Sequence, residues 1–394
     1  MRILVVTNSY PTRATPSAAP YITSRLAQLR RHLEVEIRAV ALPPVYTAGA
    51  RLARAAARLA DEESLALAPG DSGLESASPR WSLADLARVR VGRRPSHAVR
   101  CGVDALQALL DADRSFTPDV VHAHGMYALP AGELARVVAQ RLGVPFVVSL
   151  HGSDVTQVIR RDPASAAATL RVAAATSYVS EALREEAAGY GLPMERSRVV
   201  PNGVDLDLFQ PADRRASGAE SPGPRLLYVG NLLPVKGVDR LPDVMAQVRR
   251  SHPDARLDVV GDGPLRGALE RGLGAGDVVH GRLAPAHVAR HMQAADALLV
   301  PSRAEGWGCV ATEALACATP VVATRVGGLP EAVGPGGQLV DPADDGYSSR
   351  FAAAIEDVLA DPPPAQVLTG AAAGLSWARV VDRELEMLAD VVAQ

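Results

Sequence analysis

The chain has 394 residues, 48% hydrophobic and 22% charged, and a formal net charge of −3. Two or three domains fit that length; the composition excludes disorder for the bulk of the chain, and the slight acidity argues against a general nucleic-acid binder. No apolar run reaches the roughly 18 residues of a membrane span, and the three cysteines, Cys101, Cys309 and Cys317, are spaced too widely for a disulfide framework or a zinc site.

The run Arg2-Ile-Leu-Val-Val-Thr7 reads as a first strand, and it meets the polar loop Asn8-Ser9 too soon to be a signal peptide, so a cytoplasmic location is expected. A helix over 22–33 and a strand over 35–42 follow. Residues 45–100 alternate Ala/Arg-rich helical pieces with a Gly/Ser/Pro loop over 69–79. Strands are expected over 119–122, 145–149 and 175–179, each followed by a helical pattern, and 198–201 closes the first half. A linker without apolar periodicity spans 210–224, after which strands over 226–229, 257–260, 278–280, 297–300 and 320–323 restart the alternation. A helix over 377–392 ends the chain. Two successive β/α blocks predict two doubly wound parallel sheets, with ligands at the carboxyl ends of the strands.

All but one of the 41 basic residues are arginine; the exception is Lys236. A GC-rich coding background disfavours lysine codons, which makes this residue a candidate for chemistry. It lies in Leu227-Tyr-Val-Gly230-Asn231-Leu-Leu-Pro-Val-Lys236-Gly237, a strand followed by a glycine turn. A lysine beside such backbone N–H groups suits a phosphate, although a solvated lysine remains open. The Walker spacing is absent. A second glycine turn, Gly261-Asp-Gly263, reads as a tight turn more readily than as a dinucleotide fingerprint. The most specific stretch is Glu305-Gly306-Trp307-Gly308-Cys309 with Glu313 eight residues after Glu305. Its glycines admit a ligand close to the backbone, and its two carboxylates suit the hydroxyls of a polyol.

Glu305-x7-Glu313, the Gly-Asn-x4-Lys-Gly turn, Pro201-Asn202-Gly203-Val204-Asp205, Val121-His122-Ala-His124-Gly and Leu150-His151-Gly152-Ser-Asp154 together resemble the retaining, nucleotide-sugar-dependent glycosyltransferases of family 4 over nearly the whole chain. The resemblance implies the GT-B fold, an α/β architecture of two facing Rossmann-like domains with a C-terminal crossover helix. The domains it suggests are an acceptor domain over 1–209, a linker over 210–224, a donor domain over 225–375 and a returning segment over 376–394. It further implies a nucleotide diphosphate sugar donor, UDP-linked on family frequency, a small-molecule or glycan acceptor, and no metal or other cofactor.

Residue by residue, the resemblance gives Lys236 the donor diphosphate, with Gly230, Asn231 and Gly261 beside it; the family often has Arg where Asn231 stands. Arg282 would read the nucleobase through its backbone. Glu313 would accept from the ribose, and Glu305 from the transferred sugar, next to the amides of Gly306, Trp307, Gly308 and Cys309. His124 would sit near the reacting sugar, and Lys236, Glu305 and His124 form the catalytic set. Asn8, Tyr21, His124, His151 and Asp154 are expected on the acceptor side. The family's first loop carries glycines where this chain has Ser17-Ala18-Ala19-Pro20-Tyr21.

Asp205-Leu-Asp207 imitates a metal motif but follows a turn at the domain boundary, so no metal is expected there. His122 and His124 are expected to turn to opposite faces of their strand, His122 into the core and His124 to the functional end. Ser149, His151 and Asp154 lack a nucleophile elbow. The basic window Arg88, Arg90, Arg93, Arg94, Arg100 is a solvated face by default; an anionic acceptor or weak peripheral membrane contact is the sharper option. The rival functions are a non-catalytic nucleotide-sugar-binding subunit and, from the glycine turns alone, an NAD-dependent oxidoreductase.

Overall fold

Short runs of Val, Ile, Leu and Ala without polar alternation suit strands buried on both faces, which is what a parallel sheet flanked by helices requires. The structure, a computed structural model, describes residues 1–15, 18–57, 59–69, 72–212 and 223–394. Ser17 of the first loop and most of the expected linker lie outside the described residues. The chain forms two units, Met1–Pro201 together with Val380–Gln394, and Asn202–Arg379.

In the first unit, β1 (Arg2–Thr7), β2 (Glu36–Ala41), β4 (Glu75–Ser76), β6 (Val120–His124), β7 (Phe146–Leu150), β8 (Ala175–Tyr178) and β9 (Ser197–Val199) form one sheet in the order β4-β2-β1-β6-β7-β8-β9. Every neighbouring pair is parallel. Two very short strands, β3 (Val45–Tyr46) and β5 (Arg80–Trp81), pair separately. The expected helix over 22–33 is shorter, Pro20–Leu29.

The second unit carries β10 (Arg225–Val229), β11 (Arg256–Val260), β12 (Val278–Gly281), β13 (Ala297–Val300), β14 (Val321–Thr324) and β15 (Gly337–Val340), ordered β12-β11-β10-β13-β14-β15 and parallel throughout. Strand order reverses beside β10, as it does beside β1 in the first unit. Such switch points open a crevice at the carboxyl ends of the two diverging strands. Residues 202–209, given to the first domain by the sequence pattern, go with the second unit: Val204 bridges to Ser376, and the Val204 N–H donates to the Leu375 carbonyl at 2.8 Å.

The helix Trp377–Val392 has an apolar stripe of helical period, Val380, Val381, Met387, Leu388 and Val391, all buried. Val381, Met387, Leu388 and Val391 share one core cluster with Ile3, Val5, Ile22, Leu26 and Val147. Its larger part is therefore an element of the first unit. Among the described residues, no helix is long and apolar enough to cross a membrane.

Candidate functional site

In the second unit the crevice lies between the ends of β10 and β13. The turn after β10 ends in Lys236 and Gly237, whose φ is +67. A Cβ on Gly237 would lie 1.9 Å from the Pro301 carbonyl oxygen, so only glycine lets this turn rest on the loop after β13. Arg303 fastens the same two segments: its guanidinium donates to both Asp239 oxygens at 2.7 and 2.8 Å and to the Pro234 carbonyl at 2.7 Å. Lys236 Nζ then meets Glu305 Oε2 at 2.5 Å, both side chains keeping some exposure. Thus the lone lysine and the first glutamate, 69 residues apart in sequence, form one ion pair.

Gly230 and Gly261 bring the ends of β10 and β11 together. Gly230 donates to the Val260 carbonyl at 3.0 Å and Gly261 to that of Gly281 at 2.8 Å. A Cβ on Gly261 would fall 1.8 Å from the Gly230 oxygen. Asn231 is exposed, and its carbonyl accepts from the Tyr228 hydroxyl at 3.0 Å. Arg282 is exposed just beyond β12. Before it, His280 is hydrogen-bonded to Asp258 at 2.6 Å, which fixes that strand end.

After Glu305, Gly308 with φ +99 starts the helix Cys309–Ala316, and Trp307 is buried beneath the loop. Cys309 and Glu313 are four residues apart and share one helix face. Burial pushes the Glu313 carboxyl up to about 7. The Cys309 thiol is pushed up to about 12 by burial, with Glu313 and Glu305 adding to it and a hydrogen bond with Asn202 opposing. It stays protonated and is no nucleophile at neutral pH. The Cys309 contact brings Asn202 to this helix start, a residue left out of the expected site. One signal was available, since Asn202 is among only three asparagines in the chain. Asp205 is occupied locally: its Oδ1 accepts the Asp207 and Leu208 N–H groups at 3.1 and 3.2 Å.

In the first unit the crevice lies between β1 and β6. Asn8 follows β1, and its side-chain oxygen accepts the Ala131 N–H at 3.2 Å. The Tyr21 hydroxyl donates to Ser9 Oγ at 2.9 Å, and its ring lies 4.9 Å from that of His151. His151 Nε2 is 3.1 Å from His124 Nδ1.

One expectation about β6 is corrected. Residues two apart on a strand point to the same face, and the His122 and His124 rings stand together, 4.3 Å between centroids. His124 is fully buried. Burial first, then the His122 and His151 rings and Arg25, lower its pKa well below the usual histidine value, and His151 is likewise depressed to about 3. Both rings are neutral at physiological pH. Asp154 is also fully buried; its carboxylate accepts backbone N–H groups of His151, Gly152 and Val155 at 2.8–3.1 Å. It shapes the loop that carries His151 and has no exposed surface for a ligand.

Behind these rings lies a polar network that sequence reasoning missed. Arg25 is paired with Glu384 of the last helix, and both are buried. Glu384 Oε1 is 3.3 Å from His122 Nδ1, His122 Nε2 is 2.8 Å from Ser149 Oγ, and Ser149 Oγ is 2.6 Å from Ser177 Oγ. The signal was a charge on an apolar stripe: Arg25 sits between Ile22, Leu26 and Leu29, and Glu384 between Val381 and Leu388.

Known proteins resemble this chain throughout. Residues 223–361 match the family model described as Glycosyl transferases group 1, and residues 47–208 match that of Glycosyltransferase Family 4. The D-inositol 3-phosphate glycosyltransferase of Acidothermus cellulolyticus is 36% identical over 315 residues, 70% of this chain and 68% of that protein. The putative teichuronic acid biosynthesis glycosyltransferase TuaC of Bacillus subtilis is 29% identical over 84% of this chain and 82% of its own. Among solved structures, a sucrose-phosphate synthase from Thermosynechococcus elongatus superposes with a TM-score of 0.75 at 21% identity, covering 100% of both chains. Anabaena Alr3699/HepE in complex with UDP and glucose gives 0.69 at 19% identity, over 99% of this chain and 100% of that one.

Proposed function

The chain belongs to glycosyltransferase family 4, a GT-B enzyme that transfers glycosyl groups, and on that premise we propose that it moves a sugar from a nucleotide diphosphate sugar to a hydroxyl of a small-molecule or glycan acceptor with retention at the anomeric carbon. Family membership sets aside the NAD-dependent oxidoreductase. The observation that carries the donor reading is the Lys236–Glu305 pair at the β10/β13 switch point, with Glu313 on the helix that starts there. UDP is the nucleotide assigned; the bound UDP and glucose of the HepE structure support it.

In this reading Lys236 and the first-turn backbone amides of the helix Cys309–Ala316 stabilise the departing diphosphate, whose oxygen takes the acceptor proton on the same face of the sugar. Glu305 accepts from hydroxyls of the transferred sugar. Neutral His151, partly exposed, offers a hydrogen bond on the acceptor side and no positive charge, while the fully buried His124 positions its ring from behind. Contacts to parts of the donor that do not change during reaction affect binding, while those that strengthen in the transition state affect kcat. Calorimetry should therefore find that Glu313→Ala weakens UDP binding by roughly 1–3 kcal/mol, because the ribose loses a charged acceptor. Glu305→Ala should cost UDP no affinity, because it also frees Lys236 for the diphosphate, and should depress turnover. Equal losses of UDP affinity in the two variants would reverse the assignment.

The raised Glu313 carboxyl adds a pH signature. Ribose hydroxyls donate to its ionised form, so UDP affinity should increase between about pH 6 and about pH 8, with proton release on binding near neutrality. Glu313→Gln should flatten that dependence; an unaltered slope in the variant would place its origin elsewhere.

The reaction is further proposed to need no metal, the diphosphate charge being met by Lys236 and backbone amides. Turnover should survive EDTA. Loss on chelation with rescue by Mg²⁺ or Mn²⁺ would contradict this.

A further inference from the structure

The first unit contains a cavity of about 140 Å³ that opens to solvent, lined by Val89, Arg93, Met126, Tyr127, Ile159 and Arg161 among others. Met126 and Tyr127 follow β6 after Gly125 and so lie close to the switch point and His124. Tyr127 is hydrogen-bonded with Tyr21 and Ser9, and the Tyr21 ring lies against His151, so this wall of the cavity adjoins the acceptor-side residues. The opposite wall comes from the turn after the helix Leu83–Arg90 and the short helical turn Ile159–Arg161, which meet closely: a Cβ on Gly92 would lie 3.7 Å from Arg161 Cβ. The turn after Arg90 is tied down from inside, Arg88 Nε donating to the Arg94 carbonyl at 2.8 Å.

The charges around the cavity do not cancel. Of its two acids, Glu133 is buried and engaged by Arg94 at 2.7 Å, Arg136 at 2.9 Å and the Thr169 hydroxyl at 2.8 Å. Although burial opposes it, these partners hold its carboxyl below the usual range. Asp162 accepts the Ser165 N–H at 3.2 Å as the cap of the helix Pro163–Leu170. Arg94 is committed to Glu133. Among the described residues Arg93 and Arg161 make no ion pair, and both are exposed where they line the cavity. Of the basic window, Arg88 and Arg94 hold structure, and Arg93 contributes charge to the cavity.

We propose that this cavity receives the acceptor and that the acceptor carries an anionic group, a phosphate or a carboxylate, held by Arg93 and Arg161 with its apolar part against Met126, Ile159 and Val89. Guanidinium forks match the oxygen geometry of both anions, and the apolar lining takes up the uncharged part of the molecule. The proposal rests on the glycosyltransferase reading, since it takes the hydroxyl that accepts the sugar to belong to the same molecule.

Calorimetric titration of the full chain tests it with phenyl phosphate, benzoate, uncharged phenyl β-glucoside, and phosphatidylcholine vesicles with and without phosphatidylglycerol. At least one anionic probe should bind about tenfold or more tighter than its uncharged counterpart, and Arg93→Gln/Arg161→Gln should erase that margin. Phenyl phosphate or benzoate as the preferred probe assigns a soluble acid. Preference only for vesicles containing phosphatidylglycerol, lost in the double variant, assigns a lipid headgroup. Equal affinity for charged and uncharged probes, or a margin unchanged in the double variant, overturns the proposal. UDP titrated in parallel separates the two readings. Its affinity should be the same in wild type and double variant, and a failure of UDP to bind wild type counts against the donor assignment while the acid titration still decides the cavity.

Discussion

Lys236→Ala is expected to lower kcat by about 10²-fold or more while weakening donor binding by a smaller factor. On the proposed donor reading the ammonium is held where charge develops: Gly237 and Arg303 fix its turn against the loop after β13, and Glu305 lies 2.5 Å from it. As the sugar leaves, negative charge grows on the diphosphate, and an ammonium already in place stabilises it with little reorganisation. Removing the lysine also leaves the Glu305 carboxylate uncompensated beside that growing charge. Lys236→Arg should recover only part of the rate, because a planar guanidinium cannot occupy the place of a compact ammonium. Steady-state kinetics with calorimetric donor affinities separates the two effects. Normal turnover of Lys236→Ala would mean that the lone lysine is an accident of codon usage.

The second large effect concerns stability. Glu384→Gln leaves the Arg25 guanidinium buried without its counter-charge, and breaking a buried pair in this way costs about 3–5 kcal/mol. Urea unfolding should record the loss in the transition of the first unit, because the pair joins the last helix to the helix Pro20–Leu29. Replacing both partners by apolar residues, Arg25→Met with Glu384→Leu, should recover most of it, since no unpaired charge remains. The pH dependence follows from Glu384. Burial would raise its pKa, but Arg25 and His122 outweigh burial and hold it at about 2. Its folded-state value lies below the unfolded one, so its contribution is complete above the ordinary glutamate range and is lost as the pH falls toward about 2. Wild-type stability should drop across that acid window, and the double apolar variant should drop less. Identical acid profiles would remove Glu384 from the account.

Both sheets were legible because parallel strands are apolar on both faces and appear as unbroken runs, as in Ile3 to Val6 and Leu298 to Val300. The donor-side crevice was legible for a related reason: Gly230 and Gly261 at strand ends, and Gly237 and Gly308 in the loops that follow, stand where a side chain would collide or a positive φ is needed. Residues 45–100 were opaque because their strands are two residues long, too short to show a period. β15 escaped because it opens on glycine and alternates exposure. The orientation of His122 and His124 was misjudged by an error of period: alternation separates neighbours, and residues two apart share a face. The Arg25–Glu384 pair spans 359 residues, and each partner alone is only a charge in an apolar stripe. Tertiary pairing gives the two charges their meaning, and no local pattern carries it.

The central claim, that the β10/β13 crevice holds a nucleotide diphosphate by a lysine and a glutamate, is tested most directly by a crystal structure of the chain with UDP. The account predicts the ribose hydroxyls on Glu313 and the diphosphate on Lys236, with the Lys236–Glu305 pair opened. UDP bound elsewhere, or with its phosphates bridged by a cation to Asp205 and Asp207, would contradict it.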